Sequence, residues 1–201
     1  MSVIAVVGGQ WGDEGKGKVI DMMAEQADAV VRFSGGDNAG HTVVNPGGTF
    51  KLHVVPSGVF YPHCTCIIGN GVVVNPDIFI KERDELNQRG VDTSRVFISD
   101  RAHLVMPYHI LLDGLEEKAR GAKSLGTTLR GIGPAFVDKV ARMGIRAIDL
   151  MDKTVLKARL EYVLEYKNQL LTRLYGEPPL DLNAMFEICA GYADRLKDNI
   201  R

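Results

Sequence analysis

The run Gly12-Asp13-Glu14-Gly15-Lys16-Gly17-Lys18 gathers residue types that together handle phosphate. Glycines admit positive φ and a close backbone approach, so several N–H groups can aim at one point. Lys16 and Lys18 add positive charge. Asp13 is the odd member, because a carboxylate repels phosphate unless a metal ion or a proton transfer needs it. The apolar Val3–Val7 precedes the run and an apolar-periodic segment from Val19 to Ala24 follows it. That order predicts strand, glycine-rich loop and helix, with an anion at the positive end of the helix dipole. The run nearly fits the phosphate-loop pattern G-x-x-x-x-G-K-[S/T], read as Gly12, Gly17 and Lys18. It departs at Val19, where the pattern has a hydroxyl that holds Mg2+. A metal ion would need another oxygen, and Asp13 is the nearest candidate. The plainer alternative is a glycine-rich surface turn with solvated lysines.

A second glycine cluster follows Val30-Val31-Arg32-Phe33, which reads as a strand. It runs Ser34-Gly35-Gly36-Asp37-Asn38-Ala39-Gly40-His41-Thr42. Ligands of α/β sheets sit at strand ends. This loop offers an amide at Asn38, an imidazole at His41, a hydroxyl at Thr42 and backbone carbonyls beside glycine. A single histidine is more often packed or solvated than catalytic. Its place on a second glycine loop makes His41 a functional candidate.

These residues carry a family resemblance. The segment from Gly8 to Lys18 resembles the signature of adenylosuccinate synthetases, GTP-dependent ligases that join IMP to aspartate in AMP synthesis. Asn38-Ala39-Gly40-His41-Thr42 is similar to their second loop. Gly126-Thr127-Thr128-Leu129-Arg130-Gly131-Ile132-Gly133-Pro134-Ala135-Phe136 resembles a third signature, followed by Asp138-Lys139-Val140-Ala141-Arg142. The three stand in the right order. Leu129 departs from the glycine commonly found there, and Met143 from a frequent arginine.

The resemblance implies a site. GTP contacts fall to Gly12, Asp13, Glu14, Gly15, Lys16, Gly17, Lys18, Gly40, His41 and Thr42. IMP contacts fall to Asp13, Glu14, Gly15, Lys16, Asn38, Ala39, Gly40, His41, Thr128 and Arg142. Thr128 is implied at the IMP 5′-phosphate, and Arg142 is implied to reach the IMP of the neighbouring subunit in a homodimer. Arg130 is a further phosphate partner, held more loosely. Mg2+ is implied on Asp13 and the Gly40 carbonyl. The chemistry follows from the substrates. The 6-oxo group of IMP leaves poorly, so it is first phosphorylated, and the N1 proton must go. A carboxylate such as Asp13 suits a general base. Charge building on the β-phosphate oxygen of GTP calls for a donor such as His41.

The whole chain sets bounds. It has 201 residues, 45% of them hydrophobic, and a formal net charge of −1. That suffices for one sizeable core or two small ones. The charge balance gives no basic field for nucleic acid or an anionic membrane surface. No stretch approaches the roughly 18 apolar residues of a membrane span. The start lacks the features of a signal peptide, so a cytoplasmic location is expected. Cys64, Cys66 and Cys189 have no framework spacing and read as reduced thiols. His63-Cys64-Thr65-Cys66 would be half a zinc site at most, without matching ligands elsewhere.

The expected fold class is α/β: a phosphate-loop-like mixed sheet flanked by helices, with a mainly helical second half. Residues 1–100 are the expected α/β nucleotide and IMP-binding core. Residues 101–201 are the expected helical subdomain with its glycine-rich loop. Thr42–Asn45 and Thr49–Val55 predict a hairpin around Pro46-Gly47-Gly48. Cys66–Ile68 predicts a buried strand ending at Gly69, and Val96–Ser99 another strand. Helices are predicted over Asp77–Arg89, with Gly90 as the C′ residue, and from Pro107 to Arg120, stopping at Gly121. A further helix is expected from a cap at Asp152 to about Tyr175, and a last one from Leu182 to the terminus. No guanine-reading Asn-Lys-x-Asp occurs. Family members are about twice this length, so an N-terminal fragment, inactive by itself, is expected. Two other readings stand beside the ligase: a GTP-binding regulatory module that forms no C–N bond, and a catalytically inert structural fragment.

Overall fold

The computed structural model describes residues 2–10 and 14–201. Its centre is β4 (Thr65–Val74), flanked in parallel by β1 (Ala29–Gly35) and β5 (Val96–Ile98). The C-terminal half of β4 pairs with β6 (His103–Leu104), also in parallel. Cys66, Ile68, Val72, Val73 and Val74 are fully buried. Burial alternates over Thr65–Gly69, and the unbroken buried run Val72–Val74 is what a strand covered on both faces requires. The expected strand at Cys66–Ile68 is therefore longer than its glycines suggested. Gly69 and Gly71 lie within it, where the register with β1 shifts between Arg32 and Ser34. A Cβ at Gly71 would sit 1.9 Å from the Phe33 carbonyl oxygen, so the glycine permits the irregularity rather than ending the strand.

The hairpin is present as β2 (His41–Asn45) and β3 (Gly48–Leu52), an antiparallel pair separate from the parallel sheet. Its exit is fixed by Glu82, which accepts the N–H groups of His53, Val54 and Val55 at 2.9, 2.9 and 3.2 Å. Its tip is fixed by Arg89, whose guanidinium lies 3.5 Å from the centre of the Phe50 ring and donates to the Thr49 carbonyl.

The helices follow their caps. α1 is Lys16–Ala24 and α2 is Pro76–Gln88, the latter capped by the Asn75 side chain and closed by Gly90 at φ +79°. α3 spans Pro107–Arg120 and α4 spans Ile132–Val140. The third signature is thus loop only as far as Gly131. α5 (Lys153–Gln169) is capped by Asp152, and a π-helical turn over Leu170–Tyr175 ends at Gly176. α6 covers Leu182–Leu196. The expected helix to the terminus stops there. Ile200 bridges Ile98 instead, with the Ile98 N–H donating to the Asn199 carbonyl at 2.8 Å. The open edge of β5 takes up these backbone groups. One hydrophobic core runs from Val43 and Phe50 through β4 and β5 to Leu160, Cys189 and Leu196. No described helix is long and apolar enough to cross a membrane.

The predicted strand at Val3–Val7 does not form. Val3, Ile4 and Val7 are 95%, 67% and 71% exposed and pair with no described strand. β propensity makes a strand only where a neighbour and a buried face exist. The outer edge of β1, with Val31 and Phe33 exposed, carries no partner among the described residues.

Candidate active site

Three loops converge beside β1. The first precedes α1; Gly12 and Asp13 lie outside the described residues. Gly15 takes φ +83°, and the helix starts at Lys16, so Lys16, Gly17 and Lys18 form its first turn. Lys16 Nζ lies 2.7 Å from Glu14 Oε2, and Glu14 also accepts the Gln10 N–H at 2.9 Å. An incoming phosphate would compete with Glu14 for this lysine. Gly8 lies against this pair, where a Cβ would displace the Lys16 ammonium and the Glu14 carboxylate.

The second loop packs directly on the first. The His41 ring lies over Gly17, where a Cβ would come within 2.9 Å of its Cγ. Burial holds the His41 imidazole below its usual pKa; Asp21 opposes this, while Arg32 and His53 add to it. The ring is therefore neutral at pH 7. Its buried Nε2 has no hydrogen-bond partner among the described residues. A buried polar nitrogen without a partner is costly, so a ligand atom there would be welcome. Gly40 is pressed against the His53 ring, which a Cβ would meet at 2.8 Å. Asn38, Ala39, Gly40 and Thr42 are exposed, so each can reach a ligand.

Arg32 and Asp37 hold this loop in shape. Arg32 donates to the carbonyls of His53 and Gly36. Asp37, 1% exposed, accepts from Arg130 Nη1 at 3.1 Å through both its carboxylate and its carbonyl. Arg130 thus joins the third loop to the second. Gly36 strengthens the join, because a Cβ there would clash with Ile132 of α4 at 2.5 Å. Thr128 is exposed on the third loop. Arg142 is exposed just beyond α4 at φ +61°, a conformation uncommon for a non-glycine residue.

The structure therefore brings His41, Gly17 and Lys16 together, and couples Arg130 to the Asn38 loop. Arg142 stands apart at the end of α4, beside the exposed Val140. Sequence reasoning passed over Asp21, Arg32, Asp37 and Glu82. Arg32 offered a signal, being a charge inside an otherwise apolar strand. Asp37 offered another, as the acid inside a glycine loop. Among the described residues no cluster of three His, Cys, Asp or Glu could hold a metal ion. The Gly40 carbonyl is a hard oxygen of the kind Mg2+ takes, in sites where one or two carboxylates and substrate phosphates supply the rest.

Comparison with known proteins bears on the family and the overall fold. The family model described as adenylosuccinate synthetase matches residues 5–201. The adenylosuccinate synthetase of Dehalococcoides mccartyi is 70% identical over all of this chain and 48% of its own length. That of Desulfitobacterium hafniense is 53% identical over 98% of this chain and 46% of its own. The chain thus spans about half the length of the curated relatives it matches. Among solved structures, a fully ligated adenylosuccinate synthetase from Plasmodium falciparum superposes with a TM-score of 0.81 at 34% identity. It covers 96% of this chain and 44% of the other.

Proposed function

Because the chain belongs to the adenylosuccinate synthetase family, we propose that it is the N-terminal part of a ligase. The enzyme joins IMP and L-aspartate to adenylosuccinate, using GTP and passing through 6-phosphoryl-IMP. This is the first committed step from IMP to AMP. The observation that carries the reading is the seating of His41 on the first turn of α1. It sets an unpartnered, neutral imidazole at the phosphate-binding end of a helix.

The residues divide the work. Asp13 takes the N1 proton of IMP, so that O6 can attack the γ-phosphorus of GTP. Lys16, Lys18 and the loop amides hold the phosphates as charge spreads over them. Lys16 exchanges Glu14 for phosphate on binding. His41 donates to the bridging oxygen as the β–γ bond breaks. The amine of aspartate then displaces phosphate from C6. Mg2+, held by Asp13 and the Gly40 carbonyl, would neutralise the phosphate oxygens when bound. Thr128 and Arg130 face the IMP phosphate, with Arg142 supplied by the second subunit of a homodimer.

The partial length supports an N-terminal piece that is inactive alone, as does the apolar β1 edge left open by Val31 and Phe33. The cytoplasm is the proposed compartment, which three free, buried cysteines support.

The test is turnover by the full-length protein with IMP, GTP and aspartate. IMP-dependent phosphate release with adenylosuccinate formed in equal amount is expected. His41→Asn keeps a hydrogen-bond donor but cannot give up a proton. It should lower kcat by about two orders of magnitude with a smaller change in KM. GTP hydrolysis indifferent to IMP would instead mark a regulatory GTP-binding module.

A further inference from the structure

We propose that Asp113 and Glu117 of α3 are positioning residues that hold the third glycine loop in the shape in which it receives the phosphate of a nucleoside monophosphate. The inference rests on the reading of Thr128 and Arg130 given above. The two carboxylates are one turn apart on one helix face. Between them they catch both ends of the loop. Glu117 accepts the N–H groups of Leu125, Gly126 and Thr127 at 3.2, 2.8 and 3.3 Å. Asp113 accepts the Thr127 hydroxyl and the Gly131 N–H, each at 2.9 Å. The residues left between the anchors are Thr128, Leu129 and Arg130.

The loop would not hold this shape by itself. It lies outside every helix and strand, and Leu129 is kept at φ +55°. Strain of that kind persists where the surroundings over-determine the backbone. The anchor at Gly131 is tight: a Cβ there would lie 2.7 Å from the His109 carbonyl carbon and the Ile110 nitrogen. Asp113 is 5% exposed, so its two hydrogen bonds are shielded from water.

Carboxylates behind an anion site should repel the anion. Here the charge of Glu117 is already engaged. Desolvation works to raise the pKa of the Glu117 carboxyl, but Arg120 and the three amides outweigh it and hold it below the usual range. Arg120 Nη1 lies 2.6 Å from Glu117 Oε1. The Glu117 arm of the clamp thus costs the phosphate little repulsion, and the loop leaves Thr128 and Leu129 exposed while Arg130 reaches back to Asp37.

The experiment uses the full-length protein and IMP. Asp113→Asn and Glu117→Gln keep shape but remove charge and acceptor capacity. Each should raise KM for IMP about tenfold, the loss expected of charge-assisted hydrogen bonds, with kcat and KM for GTP within about threefold. Thr127→Val should do the same and Thr127→Ser should restore the wild-type value, since serine keeps the hydroxyl. Hydrogen exchange at the Gly126 and Gly131 amides should quicken in the Glu117 and Asp113 variants respectively. An unchanged KM for IMP in folded variants overturns the proposal. So does a parallel loss in kcat and in both KM values, which would mark plain destabilisation. Wild-type protein that neither binds nor turns over IMP overturns the functional reading and the ligand named here. The exchange result decides the clamp independently of that outcome.

Discussion

Leu129 shows how a single residue can record a constraint set elsewhere. The sequence places it within a glycine-rich loop, and the structure holds it at φ +55° with half its surface exposed. The left-handed region costs an L-residue roughly 1 kcal/mol, and glycine escapes that cost while losing more entropy on folding. Leu129→Gly is therefore expected to leave stability unchanged or raise it by under about 1 kcal/mol. Leu129→Val, with a branched Cβ in the same conformation, should lower it by about 1 kcal/mol or more. Urea midpoints of the three proteins decide the order. His41 and Lys16 were legible as candidates from residue type and glycine context, and Thr128 only through the family resemblance. Asp37, Arg32 and the α3 carboxylates were not. Their roles come from partners that only the fold brings near, Arg130 for Asp37, the His53 carbonyl for Arg32 and loop N–H groups for the α3 carboxylates, and such an acid looks in sequence like any surface acid.

At the scale of elements, capping and periodicity were reliable. Pro107 and Gly121 bound α3 as expected, and Asp152 caps α5 through the Thr154 and Val155 N–H groups. Pairing was not legible. β4 passes through two glycines because β1 approaches it there. Gly71→Ala is expected to cost at least about 2 kcal/mol, since backbone rather than a movable side chain meets the new methyl. Gly133→Ala on α4, where a Cβ meets nothing within 4 Å, is the control and should be near neutral. Thermal unfolding of both variants checks this; equal midpoints would mean the register shift is absent in solution.

For the whole molecule, the two halves read from the sequence share one hydrophobic core, with α5 and α6 packed on the same cluster as β4 and β5. Arg142 belongs to this scale because its proposed target lies on another subunit. Its exposed side chain and left-handed backbone suit a residue held ready for a partner. A phosphate would meet its planar fork through paired hydrogen bonds. In the full-length enzyme, Arg142→Leu and Asp13→Ala should each remove nearly all activity. Mixing them should restore part of it, because each mixed dimer carries one site with neither lesion. Dimers that exchange subunits and regain nothing would place Arg142 in its own site or outside the chemistry.

The sequence by itself determined the family, the α/β class and the caps of its helices, and it marked which glycine loops offer residue types suited to phosphate. These depend on local preferences and motifs, which are written in consecutive residues. Tertiary structure alone decided that Val3–Val7 stays unpaired and that the last residues join β5. It alone decided that His41 rests on Gly17, and that Asp37, Asp113 and Glu117 shape the loops. Each of these depends on which backbone groups lack a partner once the sheet is assembled. That count exists only in three dimensions.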